Sequence, residues 1–172
     1  MEAAVRGAVR RAEGVIDALG RIALWLTLAI VVLVAVNVLL RYTLSLGSVW
    51  AQELEWHLLA AVILLGMSYA QQRGEPVRVD LFYGGYGPRM KFAVDMLSHL
   101  LALLIALAFI RFSWGYVGQA WAVDEGSPDP GGIPHRWVVK GLIPFGFAML
   151  ALQTLAAAAR RALRWRGETA GA

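Results

Sequence analysis

The chain has 172 residues, of which 59% are hydrophobic, and it carries a formal net charge of +4 and no cysteine. This apolar content lies well above the roughly 45–50% of ordinary soluble domains and excludes a water-soluble globular protein. The missing cysteine excludes disulfide bonds, thiol catalysis and thiolate metal sites.

Four apolar segments follow one another along the chain. A membrane-spanning helix needs about 20 predominantly apolar residues, and the predicted spans are residues 22–41, 50–70, 92–112 and 137–159. The second reaches this length only with Glu53, Glu55 and His57 counted at its outer end, and Pro144 predicts a kink in the fourth. We therefore predict an all-α integral membrane protein whose residues 1–172 form a single membrane domain.

The distribution of basic residues predicts the orientation of the chain. Twelve of the sixteen Lys and Arg residues precede the first span, lie in the predicted loop 71–91 or follow the fourth span. The positive-inside rule places these segments, and hence both termini, in the cytoplasm and the loop 113–136 in the periplasm. Short interfacial helical or extended segments are expected in the loops, one of them around Asp80 in the alternating stretch 77–81.

Ionisable residues within or near the spans need partners, because charge in hydrocarbon is costly. Glu53 and His57 are four positions apart and share a helix face, and we expect Glu53 to pair with Arg41 at the end of the first span. A role facing a partner protein is the alternative. Lys140, one turn before Pro144, is expected to snorkel outward or to pair with an acid of the outer loop, Asp124, Glu125 or Asp129, and so to anchor that loop. Contact with the substrate is the alternative role for Lys140.

Small residues follow polar ones on the third span. Asp95, His99, Ala102 and Ala106 have helical spacing, and Gly66 and Ala70 offer small residues on the second span. Packing within the four-helix unit is the simpler interpretation. A proton relay is the alternative, but it needs ionisable groups through the midplane of the membrane.

No phosphate-binding loop, dinucleotide fingerprint, metalloprotease motif or nucleophile elbow is present in the sequence, so we expect no enzyme. Two other functions stay open. His57 and His99 could ligate a haem iron from opposite sides, as in a membrane electron-transfer subunit. A stand-alone small channel is suggested only by the number of spans.

The sequence also resembles a known family, the small (DctQ-type) membrane subunit of tripartite ATP-independent periplasmic (TRAP) transporters. The resemblance runs from about residue 36 to 153 and is carried by the following residues: Asn37-x-x-x-Arg41-Tyr42, Trp50-Ala-Gln-Glu-Leu54, Gly66, Arg73-Gly74, Val77-Arg-Val-Asp80, Asp129-Pro-Gly-Gly-Ile-Pro-His-Arg-Trp137, Lys140, Ile143-Pro144, Gly146-Phe147 and Gln153.

The resemblance implies a complex in the bacterial inner membrane. A periplasmic binding protein would deliver an organic anion, such as a carboxylic acid, to a large membrane subunit that moves it with a sodium gradient. This chain would be the small scaffold subunit, without a cofactor. Residues expected at its interfaces are Arg41, Trp50, Glu53, His57, Gly66, Arg73, Asp80, Asp95, His99, Asp129, Arg136, Trp137 and Lys140.

Overall fold

The computed structural model of the chain describes residues 2–74 and 83–170, with side chains described as far as residue 167. Four long helices make up most of these ranges: α1 (Glu2–Leu44), α2 (Val49–Arg73), α3 (Pro88–Ala122) and α4 (Trp137–Ala170). No strand occurs in these ranges. The predicted all-α class is therefore confirmed, whereas the segment around Asp80 lies outside the described residues.

Three of the helices, α1, α3 and α4, are long and apolar enough to cross a membrane. α2 is not among them, because Glu53, Glu55 and His57 at its start and the polar residues 71–73 at its end leave an apolar run of only residues 58–70. The helices also exceed the predicted spans. α1 begins 20 residues before its apolar run, and α3 continues ten residues beyond position 112 through an aromatic stretch.

Local sequence explains where the helices begin and end. The Ser48 hydroxyl caps α2 by accepting a hydrogen bond from the Ala51 N–H at 3.3 Å. Gly74 ends α2 in the left-handed conformation, with φ of 77°, which glycine adopts without steric cost. Pro88 starts α3, where its missing N–H costs no helical hydrogen bond.

α4 packs against each of the other three helices, and α2 also packs along α1. α2 and α4 run parallel, since Glu53 contacts Arg136 and Gln71 contacts Thr154, each pair 83 positions apart. α1 is antiparallel to α2, and α3 is antiparallel to α4. The start of α1 at Glu2 and the end of α4 at Ala170 therefore lie at one end of the bundle, the terminal end, and the segment 123–136 lies at the other, the loop end.

Small residues bring the helices close together. A Cβ on Gly146 of α4 would lie 2.7 Å from the Leu64 carbonyl oxygen of α2, and a Cβ on Gly20 of α1 would overlap the Tyr69 ring. Ala106 on α3 is fully buried. In lipid, helix association depends on such close packing rather than on the hydrophobic effect. Ala106 thus serves packing within the unit, as expected.

Candidate functional site at the loop end

The Glu53 carboxylate is the centre of a polar cluster between α2 and the loop 123–136. It accepts hydrogen bonds from the Ser127 hydroxyl, from the Ile133 N–H at 2.6 Å and from the Arg136 guanidinium at 3.1 Å. The Glu53 side chain is only 8% exposed. Three donors, one of them charged, compensate its burial. We refer to Glu53, Ser127, Ile133 and Arg136 as the Glu53 site.

The backbone of the loop is folded around this carboxylate. The Ser127 N–H donates to the Ile133 carbonyl at 3.1 Å, and the Gly132 N–H donates to the Asp129 carbonyl at 3.0 Å. A Cβ on Gly132 would overlap the Ser127 side chain and lie 2.7 Å from Glu53 Oε2. Only glycine at position 132 therefore leaves room for the carboxylate.

Lys140 fixes the same loop from the other side. Its ammonium donates to the Glu125 carboxylate and lies 3.9 Å from the centre of the Tyr116 ring on α3. The predicted pairing of Lys140 with an acid of this loop is confirmed, with Glu125 as the partner. The Arg136 N–H also donates to the Glu125 carbonyl at 2.7 Å, so the base of the loop is closed.

The prediction that Glu53 forms an ion pair with Arg41 is wrong. Arg41 is exposed at the end of α1, and no carboxylate in the part of the chain that the structure describes pairs with it. Glu53 and Glu55 project about 160° apart on α2, because two residues turn an α-helix by roughly 200°. Glu55, not Glu53, faces α1, and its Oε1 accepts a hydrogen bond from the Asn37 amide at 3.0 Å.

At the terminal end, ion pairs connect the helices as well. Arg73 of α2 contacts Asp17 of α1 at 3.2 Å, and Arg161 of α4 contacts Asp95 of α3 at 2.9 Å. The Tyr83 hydroxyl also donates to Asp95 at 2.9 Å. Arg73 and Asp95, two of the predicted interface residues, are thus engaged within the chain.

The two histidines do not approach each other. His57 Nδ1 lies 2.7 Å from the Glu53 carbonyl oxygen, and the pairing of α2 with α4 puts His57 level with about residue 140 of α4. The Asp95–Arg161 pair puts His99 level with about residue 157. At 1.5 Å per residue, the imidazoles are about 25 Å apart along α4, too far to ligate one haem iron.

The other predicted residues have separate locations. Trp137 contacts Trp121 of α3 edge to face, with ring centres 4.4 Å apart, and Trp50 is half exposed in the first turn of α2. Gly66 faces α1, since a Cβ on Gly66 would lie 3.9 Å from the Ala23 Cβ. Asp129 is exposed in the loop.

Sequence reasoning missed Ser127 and Gly132 of the loop and the acids of α1. Glu13 contacts the Arg160 guanidinium of α4 with its carboxylate. Its spacing of four residues to Asp17, within a helix-forming stretch, was an available signal. Gly132 lies in the stretch 129–137 that carries the family resemblance, whereas Ser127 had no signal, since only the folded loop brings it to Glu53.

This arrangement holds helices and a loop together. Among residues 2–74 and 83–167, no group of three or more His, Asp or Glu side chains could hold a metal ion.

The family model described as tripartite ATP-independent periplasmic transporters, DctQ component, matches residues 30–164. The chain belongs to the DctQ family.

Membership in the DctQ family makes the chain a small membrane subunit of a TRAP transporter. The matched region contains the last third of α1 (residues 30–44), all of α2 and α3, and α4 as far as Arg164. It also contains the whole Glu53 site. No curated protein matches the chain in a sequence comparison.

Proposed function

We propose that this DctQ-family chain is a scaffold in the bacterial inner membrane. It would brace a large membrane subunit that imports an organic anion, a carboxylic acid, with a sodium gradient and a periplasmic binding protein. The observation that carries the scaffold role is the pairing of ionisable side chains with one another. Glu53–Arg136, Lys140–Glu125 and Asp95–Arg161 join elements of the chain, so these groups tie the unit together rather than line a solute path.

Four spans with both termini in the cytoplasm fit this role. α2 is parallel to α4 and stays beside it from Glu53 to Gln71. It therefore covers the same depth of the membrane as α4, which is long and apolar enough to span it. Its 25 residues extend about 37 Å, against roughly 30 Å of hydrocarbon. The terminal end carries Arg6, Arg10, Arg160 and Arg164, which supports a cytoplasmic location.

The loop 123–136 is the part we propose for contact with the binding protein. The Glu53 site and the Lys140–Glu125 pair fix its backbone. Asp129 and Pro130 are exposed at its tip. A preformed loop loses little conformational entropy on binding, which favours docking of a soluble partner.

Co-expression tests the proposed function. The chain, carrying an affinity tag, is produced with the large polytopic protein encoded beside it and purified in mild detergent. We expect the large protein to co-purify in a fixed ratio and sodium-dependent uptake of a carboxylic acid to require both proteins and the binding protein. Uptake by the large protein and binding protein alone, at an undiminished rate, would contradict the proposal.

A further inference from the structure

One face of α3 is turned away from α4 and is not covered by this chain. Ala106, Ser113 and Ala120 of α3 are buried and mark the side that faces α4. The opposite side bears residues spaced alternately by four and three positions, the spacing with which one helix packs along another. We call this set the exposed face of α3: Leu100, Leu104, Leu107, Arg111, Trp114 and Gly118, all exposed.

Arg111 is the charged residue of this face, and contact with lipid chains does not stabilise its charge. It forms no ion pair or hydrogen bond with residues 2–74 or 83–167. The stacking of Phe109 on Phe147 puts Arg111 level with about residue 145 of α4, eight residues inside the loop-end boundary of the predicted span 137–159. A charge at that depth is costly without a partner. The described part of this chain thus offers no counter-charge to Arg111, and a neighbouring molecule has to supply one.

A groove lies beside Arg111 toward the loop end. Its volume is about 370 Å³, and it is bounded by Trp114, Gly118 and Trp121 of α3 and by Trp137 and Gly141 of α4. A Cβ on either glycine would meet no atom of this chain within 4 Å. Packing inside the unit therefore does not require these glycines, although glycine is unfavourable within a helix. Small residues on a membrane helix do allow a neighbouring helix to approach closely.

We propose that the exposed face of α3 and this groove dock a transmembrane helix of the large subunit. That helix would place a bulky apolar side chain in the groove, over Gly118 and Gly141, and an acidic side chain against Arg111. The inference rests on the proposed function and deepens it, because it assigns the face and the chemistry of the contact.

Two other occupants fit less well. An acyl chain would fill the groove but has no carboxylate at the level of Arg111. A second copy of this chain, related by a two-fold axis along the membrane normal, would bring Arg111 against its own equivalent, and like charges repel. α1 offers a contrast, since its exposed residues Leu24, Leu28, Val32 and Leu39 carry no charge and suit lipid.

Crosslinking tests the proposal directly, because the native chain contains no cysteine. Single cysteines are introduced by Leu107→Cys and Gly118→Cys on the exposed face of α3. The matched controls are Ile105→Cys and Phe112→Cys, which are also exposed but project about 120° and 100° from Arg111 around the helix. Each variant is labelled with a benzophenone maleimide in membranes that contain the complete transporter.

We expect adducts with the large subunit from positions 107 and 118 and none from 105 and 112. Adducts only from the control positions, adducts of twice the mass of this chain, or no protein adduct at positions 107 and 118 would each overturn the docking face. If the large subunit still co-purifies in those cases, the proposed function stands. If it does not co-purify even with the native chain, both proposals fail.

Substitutions provide a second readout. Arg111→Leu should reduce the large subunit recovered with the chain by at least about tenfold, because it leaves a buried acid unpaired, and Arg111→Lys should retain most of the recovery. Gly118→Trp fills the groove and should have a similar effect, whereas Ile105→Trp should have none. Recovery unchanged by both Arg111→Leu and Gly118→Trp would contradict the proposal.

Discussion

At the scale of single residues, Glu53 and Gly132 determine how the loop end is built. The carboxylate rises from α2 into the loop, and the loop backbone can close over it only where position 132 has no side chain. Glu53 is thus 74 or more positions away in the sequence from the residues that satisfy its charge and make room for it, and they meet through the pairing of α2 with α4.

Gly132→Ala should destabilise the chain by about 1–3 kcal/mol, as expected when a methyl group is forced into an occupied site. The added Cβ would displace Ser127 or the Glu53 carboxylate. Thermal unfolding of the protein in detergent measures the loss. Gly126→Ala in the same loop is the matched control, because its Cβ would lie 4.0 Å from the nearest atom, Pro134 Cα. Equal stability of the two variants would contradict the geometry of the site.

Glu53→Ala and Arg41→Ala should differ in their effects. Without the carboxylate, Arg136 loses its ion pair and the Ile133 N–H loses its acceptor, so the loop should become susceptible to proteolysis and the melting temperature should fall by several degrees. Arg41 pairs with no described carboxylate, and its replacement should leave both properties unchanged in the isolated chain. Equal losses of protease resistance and melting temperature in both variants would support the Glu53–Arg41 ion pair that the sequence predicted.

At the scale of helices, glycine contacts determine how closely the elements pack. α2 and α4 keep one register over 18 residues of α2, from the Glu53–Arg136 pair to the Gln71–Thr154 hydrogen bond. Gly146 lies between these contacts, against the backbone of Leu64. Because the obstacle there is a carbonyl oxygen and not a flexible side chain, a larger residue must move a whole helix.

Gly146→Ala should therefore cost about 1–3 kcal/mol in the free energy of unfolding, although alanine favours helices over glycine. Gly141→Ala on the same helix is the control, since its Cβ would meet nothing within 4 Å and the isolated chain should be equally or more stable. Reversible unfolding in mixed micelles compares the two variants. A stabilised Gly146→Ala protein would show that α2 and α4 do not approach as closely as described.

At the scale of the whole molecule, the polar ends of the bundle and its apolar sides have different structural roles. Ion pairs and hydrogen bonds at both ends connect the helices, while α1 and α3 expose most of their apolar length. Such an object needs lipid or other membrane helices around it, because exposed apolar area of this extent is unstable in water.

The proposed orientation predicts which ends an impermeant reagent reaches. In the native chain, which lacks cysteine, Ser48→Cys and Gly126→Cys at the loop end should react with a membrane-impermeant maleimide added to intact cells. Gly84→Cys and Gly7→Cys should react only after the cells are opened. The reverse pattern would invert the topology, and reaction of only one loop-end position would exclude α2 as a fourth span.

The sequence by itself determined the membrane class, the helices and the family resemblance. Apolar runs of about 20 residues, capping residues and local motifs act over neighbouring positions and can be identified without a fold. Lys140 was also predicted to pair with the loop, because its nearest acids lie within 16 residues of it.

Only the tertiary structure decided which charges meet across helices. Glu53 and Glu55 are two positions apart, yet α2 sends one toward the loop and the other toward α1. Their partners depend on how each helix is rotated and aligned against its neighbours, and this follows from close contacts such as Gly146 with Leu64. Composition does not encode such contacts. The assignment of Glu53 to Arg136, the separation of the two histidines and the exposed Arg111 therefore became visible only in the packed bundle.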